Sequence, residues 1–502
     1  MTENFWILRP LIIAILIGIL AACGQAEKTR QAATVPEPRE ADPPNIIIIY
    51  ADDMGFADVG YHNLRADIRT PHIDALAADG AVFTQAYVTS PVCAPSRAGL
   101  LLGDYQNKIG FETNLDLKSP DMRRRFKQAG TIAEDLQARG YNTAMAGKWH
   151  LPSYGQLEQY GFQYFLQTKG VGPGYTNTAA DGTIIPTRPV PEGYHIELGA
   201  QFASDHIKRS SEDPFFFYWA PRVPHVPLDA PDQYLARFPG DMPERRRQAL
   251  AMISAMDDGV GRILETLRET GQDKNTLIFF INDNGAPTRI TMPDGGSFKS
   301  GWNGSINTPL LGEKNMLTEG GIRVPFIVNW PGRIGPGKWL NDPVMTFDVA
   351  ATIRAATGQA DAPDLPGQNL LPHIDGHNTG APHEALYWRF EAQSAVRVGD
   401  WKLLNFEGRS YLFNLTEDPG ETTDLAMQYP DKVAALDQRL KVWTAGLEHD
   451  PAKLSDRART RRREFYAHYL DGKQDINMDL INADLIYGVN PSDIKQEIEE
   501  NR

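Results

Sequence analysis

Two pairs of adjacent polar residues each follow a short run of large apolar residues. The first pair is Asp52 and Asp53, and the second is Asp283 and Asn284. Adjacent carboxylates repel one another unless a cation or strong hydrogen-bond donors lie between them. Three carboxylates and an amide oxygen form a hard-ligand set suited to Ca²⁺ or Mg²⁺. Either pair alone is more simply explained as a helix cap or a turn, and it is the like placement of both that favours a metal site.

A single cysteine stands in a segment that predicts an anion site. In Cys93-Ala94-Pro95-Ser96-Arg97 the proline suits the first turn of a helix, so Cys93 is expected at a helix N-terminus. Free amides and the helix dipole favour anions there, and Arg97 adds a positive charge one turn into the helix. A lone cysteine is most often a small buried hydrophobe. A hydrolase that uses the thiol directly is an alternative, but it leaves the four metal ligands unexplained.

Two lysines and two histidines are further candidates whose interpretation depends on their neighbours. They are Lys148 and His150 in GKWH, His225 in PHVP and Lys314 in GEK. Any one of the eleven histidines is more often a surface or core residue than a catalyst, and a lysine beside tryptophan can simply cover the ring. Only their order along the chain, relative to the metal pairs and the cysteine, favours catalysis.

The elements that must position these residues alternate between strand and helix. Continuous apolar runs predict strands buried on both faces, at residues 45–50, 143–146, 215–220, 276–282 and 325–330. Helical patterns lie between them, at 131–139, 198–209 and 244–270. This alternation predicts an α/β fold with a large mixed, mostly parallel sheet sandwiched by helices. Ligands bind beyond the carboxyl ends of such strands, which is where both polar pairs fall.

A smaller C-terminal α+β subdomain is expected after residue 381. Short strands at 386–390, 395–398, 401–406 and 411–415, joined by tight turns, predict an antiparallel sheet, and a helix follows at 431–447. The arginine-rich residues after 451 are expected to form a solvated tail or an arm on a partner subunit. The predicted organisation is a lipoprotein signal peptide at 1–22, a flexible tether at 23–44, a catalytic domain at 45–380, this subdomain at 381–450 and an extension at 451–502.

The N-terminal segment predicts export. Residues 11–20 form an uninterrupted apolar run that ends in Leu20-Ala21-Ala22-Cys23. Ten residues fall short of the roughly 20 that span a bilayer, and small residues before a cut site suit a signal peptide, although a short anchor is an alternative. The last four residues resemble the bacterial lipobox, which implies lipidation of Cys23. We therefore expect an exported bacterial lipoprotein, membrane-anchored in the periplasm or at the cell surface, whose polar, Pro-rich residues 24–44 form the tether.

The charge and cysteine content of the chain argue against a nucleic-acid partner and against a disulfide. The chain has 502 residues, of which 41% are hydrophobic, enough for one large domain and a smaller one. Fifty basic and 64 acidic residues give a formal charge of −14, so no nucleic-acid partner is expected. If Cys23 carries lipid, Cys93 is alone in the mature chain and no disulfide can form.

The segment around Cys93 resembles the signature of type I sulfatases, in the alkaline phosphatase superfamily. The pattern is Cys-x-Pro-Ser-Arg followed by Leu-Leu-x-Gly. Its companions occur in the family's order: NIIIIYADDMG from Asn45, GKWH from Gly147, PHVP from Pro224, DNG from Asp283, GEK from Gly312, EGGIRVP from Glu319, and the segments at 396–403 and 418–421. The resemblance runs from about residue 45 to 447. The residues at 104–114 depart from the family's pattern, which weakens inferences about the substrate.

The resemblance implies a nucleophile and a metal. In that family a maturation enzyme oxidises the cysteine during export to Cα-formylglycine, whose hydrated aldehyde attacks sulfur. By resemblance, Asp52, Asp53, Asp283, Asn284 and residue 93 hold the metal, which is expected to be Ca²⁺, although these ligands would also accept Mg²⁺.

The resemblance also implies roles for the charged residues. Lys148 and Lys314 neutralise the sulfate ester, and His225 protonates the leaving alcohol. A covalent sulfate ester on residue 93 results, and His150 accepts the remaining hydroxyl proton so that sulfate leaves. Arg97 orients residue 93.

We therefore expect a sulfuric ester hydrolase acting on a sulfated polysaccharide or oligosaccharide. Two alternatives stay open: a phosphomonoester or phosphodiester hydrolase of the same superfamily, and a catalytically inactive lipoprotein that binds sulfated glycans.

Overall fold

A computed structural model gives the fold. It describes residues 43–153, 156–168, 175–178, 184–185, 193–287, 302–360, 362–451 and 456–471, all within one unit that spans Pro43–Arg502. The predicted signal peptide and all but the last two residues of the tether lie outside these ranges. Within them, no helix is both long and apolar enough to cross a membrane.

The described residues form sixteen strands: β1 Asn45–Ala51, β2 Ala81–Phe83, β3 Ala86–Tyr87, β4 Asn142–Gly147, β5 Tyr164–Thr168, β6 Tyr175–Thr178, β7 Ile184–Ile185, β8 Phe215–Ala220, β9 Thr276–Asn282, β10 Phe326–Asn329, β11 Lys338–Leu340, β12 Val344–Met345, β13 Leu386–Phe390, β14 Gln393–Val398, β15 Trp401–Phe406 and β16 Arg409–Asn414. Ten of them form one mixed sheet, in the order β11-β2-β10-β9-β1-β8-β4-β5-β6-β7, and β3 and β12 pair in a separate two-stranded sheet. The central strands β9, β1, β8, β4 and β5 are parallel, and β10 pairs antiparallel with β9.

The residues of β1 show why both faces of this sheet must be packed against other elements. All seven residues of β1 are buried. Ile46 and Ile48 point into the core on one face, while Ile47 and Ile49 point into the core on the other. Successive side chains of a strand alternate between faces, so a run of β-branched residues specifies a strand with apolar neighbours on both sides.

Helices supply that cover. They are α1 Pro71–Ala78, α2 Cys93–Leu102, α3 Pro120–Ala129, α4 Ile132–Ala138, α5 His195–Arg209, α6 Asp232–Leu235, α7 Glu244–Glu269, α8 Glu319–Ile322, α9 Asp348–Ala356, α10 Leu371–Ile374, α11 Pro430–Ala445 and α12 Asp456–Tyr469. Helices α1, α5 and α7 pack on one face of the sheet, and α2, α3, α4 and α9 pack on the other. The predicted mixed, mostly parallel sheet between helices is confirmed.

A second, antiparallel sheet of β13 to β16 carries α11 on one face. Val396, Leu403 and Leu412 of the sheet pack against Leu436 and Leu440 of the helix. This matches the predicted smaller sheet with one helix, and its strands differ from the predicted bounds by at most two residues.

The prediction for the C-terminal extension is wrong where the structure describes it. In α12, Tyr466 is 2% exposed and stacks on Phe406 and Tyr411, with ring centroids 4.5 and 5.4 Å away. Arg462, one turn earlier, is 4% exposed. The high arginine content suggested a solvated tail, but arginine can be buried when its charge is paired, as it is here with Glu391.

Candidate active site

Four adjacent parallel strands, β4, β8, β1 and β9, end at the same edge of the main sheet. The chain leaves each strand there with polar side chains, so residues far apart in sequence meet. These are Asp52 and Asp53 after β1, Asp283 and Asn284 after β9, Lys148 and His150 after β4, and His225 after β8. The ligand atoms of Asp52, Asp53, Cys93 and His225 all lie within 4.8 Å of one another.

The two acidic pairs form one buried cluster. Asp52, Asp53, Asp283 and Asn284 are at most 1% exposed. The backbone N–H of Asp53 donates to Asp283 Oδ1 at 3.1 Å, and Asn284 Nδ2 donates to Asp53 Oδ1 at 2.6 Å. The sequence prediction that both pairs lie together is thus realised in the geometry.

Each carboxylate has a cationic neighbour. Lys148 Nζ lies 2.7 Å from Asp52 Oδ1, and Lys314 Nζ lies 2.6 Å from Asp53 Oδ1. Arg97 donates to Asp283 Oδ2 at 2.7 and 3.1 Å. Three cations therefore balance three carboxylates.

Arg97 forms no hydrogen bond to Cys93 among the described contacts. Its described hydrogen bonds go to Asp283, to the Lys148 carbonyl oxygen at 3.0 Å and to the Tyr218 hydroxyl at 3.3 Å. It therefore ties α2, which carries Cys93, to a metal-ligand candidate and to the chain beyond β4. Any orientation of residue 93 by Arg97 acts through the helix.

Burial and charge act in opposite directions on these carboxylates. Burial alone would raise the pKa of Asp52, but Lys148 and its other cationic neighbours outweigh burial and hold that pKa well below its usual range. Burial raises the pKa of Asp283 to about 7, and the negative charge of Asp52 adds to the rise. Close carboxylates with such opposed shifts indicate a site that further positive charge would stabilise.

The donor set fits a hard divalent cation. Asn284 Oδ1 is buried and has no hydrogen-bond partner among the described residues, although its Nδ2 is bonded. An orphaned amide oxygen beside three carboxylates is a ligand set for Ca²⁺ or Mg²⁺. Because the protein charges in the cluster already cancel, a divalent ion would give the site a net positive charge suited to an anionic ester.

Cys93 is the first residue of α2 and is 1% exposed. Its Sγ lies 2.9 Å from Lys314 Nζ and 3.8 Å from Asp53 Oδ1. Burial raises the pKa of the thiol to about 12 despite the nearby lysines. The uncharged thiol therefore predominates at neutral pH, which weighs against direct use of Cys93 as a thiolate nucleophile.

The two candidate histidines both have lowered pKa values, so each ring is neutral at neutral pH. Burial lowers the pKa of His225 to about 4, and burial together with Lys148 lowers the pKa of His150 well below its usual range. His225 Nδ1 lies 2.5 Å from the Val226 carbonyl oxygen and 3.2 Å from the Arg222 guanidinium. The shorter contact is to an atom that can only accept, which favours a proton on Nδ1. The exchangeable site is then Nε2, 3.5 Å from Asp53 Oδ2. His150 keeps a buried Nδ1 with no hydrogen-bond partner among the described residues.

Sequence reasoning missed the residues that support the ligands. Asn303 Nδ2 donates to the Asp53 carbonyl oxygen at 2.7 Å, and Asn282 Oδ1 accepts from the Met54 N–H at 3.1 Å. Asn282 could have been recognised in the sequence, because it is a polar residue at the end of an apolar strand. Asn303 had none, because its contact spans 250 residues of sequence.

Comparisons with known proteins agree with this geometry. Residues 44–359 match the family model described as Sulfatase, and residues 311–445 match that of the N-sulphoglucosamine sulphohydrolase C-terminal region. The chain is 30% identical to N-acetylgalactosamine-6-sulfatase of Rattus norvegicus over 418 residues, covering 77% of this chain and 74% of that protein. It is similar to the crystal structure of Ps i-CgsB, with a TM-score of 0.72 and 28% identity over 87% of this chain and 100% of the other. A structure of Ps i-CgsB in complex with k-i-k-neocarrahexaose gives a TM-score of 0.71 at 28% identity, covering 86% of this chain and 99% of that one.

Proposed function

The chain belongs to the sulfatase family of the alkaline phosphatase superfamily, and on this basis we propose that it uses a formylglycine made from Cys93 and a bound divalent cation to hydrolyse sulfated carbohydrates. It is a sulfatase, an enzyme that hydrolyses sulfate esters. The observation that carries the finer proposal is the position of Cys93: it begins a helix, and its Sγ lies 2.9 Å from Lys314 Nζ and within 4.8 Å of carboxylate oxygens of Asp52 and Asp53.

Formylglycine would supply a hydrated aldehyde as nucleophile, and the cation would supply Lewis-acid stabilisation of the sulfate oxygens. The chain's own residues bind charge and move protons. Lys314, 2.9 Å from Cys93 Sγ, and Lys148 place positive charge where the sulfate group must lie during attack at residue 93. His225 would gain a second proton at Nε2 beside the anionic sulfate ester and deliver that proton to the leaving alcohol. His150, which is neutral and whose Nδ1 has no hydrogen-bond partner among the described residues, accepts the hydroxyl proton of residue 93.

The cation is proposed to be Ca²⁺, with Mg²⁺ compatible with the same oxygen ligands. Asp52, Asp53, Asp283 and Asn284 would hold it, together with residue 93. Support comes from the all-oxygen character of the four side chains and from the orphaned Asn284 Oδ1.

The proposed substrate is a sulfated oligosaccharide or polysaccharide. Support comes from two relatives: one is named for a 6-sulfated N-acetylgalactosamine, and the other was solved with a neocarrahexaose.

Sulfate release tests this proposal. The mature enzyme, co-produced with a formylglycine-generating enzyme, is incubated with sulfated oligosaccharides, an aryl sulfate and the matching aryl phosphate, and released anions are quantified by ion chromatography. We expect sulfate from the oligosaccharides at a rate well above that from the aryl ester, and a Cys93→Ala variant that releases none. Faster release of phosphate would favour the phosphoester hydrolase. Tight glycan binding without release would favour the inactive binding lipoprotein.

We also propose that the protein is exported and anchored through lipid on Cys23. Support comes from the sequence Leu20-Ala21-Ala22-Cys23 after an apolar run. In a bacterial host supplied with labelled fatty acid, the wild-type chain should take up label and fractionate with membranes, whereas Cys23→Ser should not. Equal labelling of both chains would contradict the proposal.

A further inference from the structure

Helix α12 lies beyond both matched family models, the second of which ends at residue 445. Two of its side chains, Arg462 and Tyr466, are one turn apart and point from the same face into the protein. Arg462 contacts the loop at 315–317 directly, and Tyr466 contacts it through Gln393. This loop directly follows Lys314. A helix outside the family pattern therefore contacts a segment of the active site.

Arg462 binds this loop directly. Its Nε donates to the Asn315 carbonyl oxygen at 3.2 Å, and its NH2 lies 2.6 Å from Glu391 Oε2. The guanidinium also lies over the Phe390 ring, 5.0 Å from the centroid. Because a carboxylate and an aromatic face hold the guanidinium in place, its Nε is aimed at one carbonyl.

Tyr466 acts on the same loop through Gln393. The Tyr466 hydroxyl donates to Gln393 Oε1 at 2.8 Å, and the same oxygen accepts the Leu317 N–H at 3.1 Å. Gln393 Nε2 donates to the Asn315 carbonyl oxygen at 2.9 Å. That carbonyl therefore accepts from both Arg462 and Gln393, and α12 supports each donor.

Asn315 connects these contacts to the catalytic centre. Its φ is 75°, a left-handed conformation that a non-glycine residue adopts only at some cost. Its N–H donates to the Pro91 carbonyl oxygen at 2.9 Å, two residues before Cys93. The preceding residue is Lys314, whose Nζ lies 2.9 Å from Cys93 Sγ and 2.6 Å from Asp53 Oδ1. A shift of the Asn315 backbone would move this ammonium relative to both groups.

We propose that Arg462 is a positioning residue that, through the Asn315 carbonyl, sets the distance between the Lys314 ammonium and residue 93. This proposal rests on the function proposed above, because it assigns Lys314 to the sulfate group. It gives the C-terminal extension a part in catalysis, beyond the region that the family models cover.

The first test compares Arg462→Met with Arg463→Met. Arg463 is on the same helix but is exposed and pairs with Glu407, so it controls for loss of an arginine from α12. We expect Arg462→Met to lower kcat roughly tenfold, since a misplacement of about 1 Å at a catalytic group is costly. Inhibition by inorganic sulfate, which occupies the same anion site, should weaken by a similar factor. Arg462→Lys should recover part of both, and Arg463→Met should match the wild type.

Arg462→Met could lower stability as well, so a milder variant keeps the test decisive. Tyr466→Phe removes only the hydroxyl that holds Gln393 and retains the ring stacking. It should weaken sulfate inhibition in the same direction, without lowering the unfolding temperature by more than a few degrees. Unchanged kcat and unchanged sulfate inhibition in both Arg462→Met and Tyr466→Phe would overturn the proposal.

A double-mutant cycle with Lys314→Ala separates positioning from general damage. If Arg462 acts through Lys314, Arg462→Met should cause no further loss of kcat in the Lys314→Ala background. An equal loss in both backgrounds would show that Arg462 acts elsewhere. Failure of the wild-type enzyme to release sulfate would instead overturn the proposed function, so the two failures are distinguishable.

Discussion

At the residue scale, the need for a proton from His225 should depend on the leaving group of the substrate. His225 Nδ1 contacts the Val226 carbonyl oxygen, so Nε2 is the atom that gains a second proton and donates it to the leaving group. A sugar alkoxide is a poor leaving group and needs that proton, whereas a nitrophenolate does not. We expect His225→Ala to lower kcat for a sugar sulfate about 10²–10⁴-fold, but to lower it for nitrophenyl sulfate far less. Initial rates on both esters measure this. Equal losses on the two would contradict a general-acid role.

The cation can be tested by removing it. A divalent ion that binds the folded cluster of Asp52, Asp53 and Asp283, and not the unfolded chain, stabilises the folded state, so removing the ion should lower stability. Chelation should abolish most sulfate release and lower the unfolding temperature, and added Ca²⁺ should restore both. In an Asp53→Asn variant the unfolding temperature should no longer respond to Ca²⁺. Full activity in protein shown to be metal-free by elemental analysis would contradict the metal site.

The reactive residues were predictable because each sits in a short local pattern. Cys93 with Pro95 and Arg97, and the acidic pairs after apolar runs, could all be seen in the sequence. The residues that hold them in place were not. Gln393 and Arg462 bind the Asn315 carbonyl from 78 and 147 residues away, and no local pattern records such a contact.

At the element scale, α7 is joined to the loop after β1 through a buried arginine. Arg246 is fully buried and lies 2.6 Å from Asp58 Oδ1, and it also contacts Asp67. Asp58 Oδ2 in turn accepts the N–H groups of Gly55 and Ile306. We expect Arg246→Met to lower the free energy of unfolding by about 3–5 kcal/mol, because it leaves the Asp58 carboxylate buried and unpaired. Urea unfolding measures this change in free energy. The control is Arg268→Met, a substitution at an exposed residue of the same helix.

The effect of Arg246 should depend on pH. Burial alone would raise the pKa of Asp67, but the bond to Arg246 outweighs it and lowers that pKa in the folded state. An acid with a lowered folded pKa stabilises the protein above its unfolded pKa of about 3.9, and the stabilisation is lost as pH falls through the folded value. The difference between wild type and Arg246→Met should therefore be full at pH 7 and shrink below about pH 4. A difference that grew on acidification would contradict this pairing.

Element length explains which strands could be predicted. Strands β1, β8 and β9 are six or seven residues long and wholly buried, so their apolar runs were clear, and their bounds were predicted to within one residue. Strands β2, β3, β11 and β12 have only two or three residues and form through pairing with distant partners. The antiparallel direction of β10 also depends on its pairing rather than on its residues.

At the scale of the whole molecule, a buried charge network joins the four-stranded antiparallel sheet to helix α8. Lys402 of β15 is fully buried and lies 2.9 Å from Glu319 Oε1 and 2.8 Å from Glu421 Oε1. Glu319 begins α8, and its backbone N–H donates to Glu421 Oε2. The antiparallel sheet thus supports the segment that follows Lys314.

Removing this lysine should therefore affect the entire fold. We expect Lys402→Met to lower the free energy of unfolding by about 3–5 kcal/mol, because two buried carboxylates lose their shared cation. Lys441→Met, at an exposed pair on α11, is the matched control and should change stability little. Thermal and urea unfolding measure both variants, and equal stability of the two would contradict a joining role for Lys402.

The mass of the peptide that carries residue 93 tests the central claim most directly. Trypsin should release residues 70–97 as one peptide from a preparation that hydrolyses sulfate esters. We expect this peptide to be lighter than its cysteine form by the conversion of the thiol to an aldehyde, with the converted fraction proportional to the rate of sulfate release. A preparation that releases sulfate while residue 93 is entirely an unmodified thiol would contradict it.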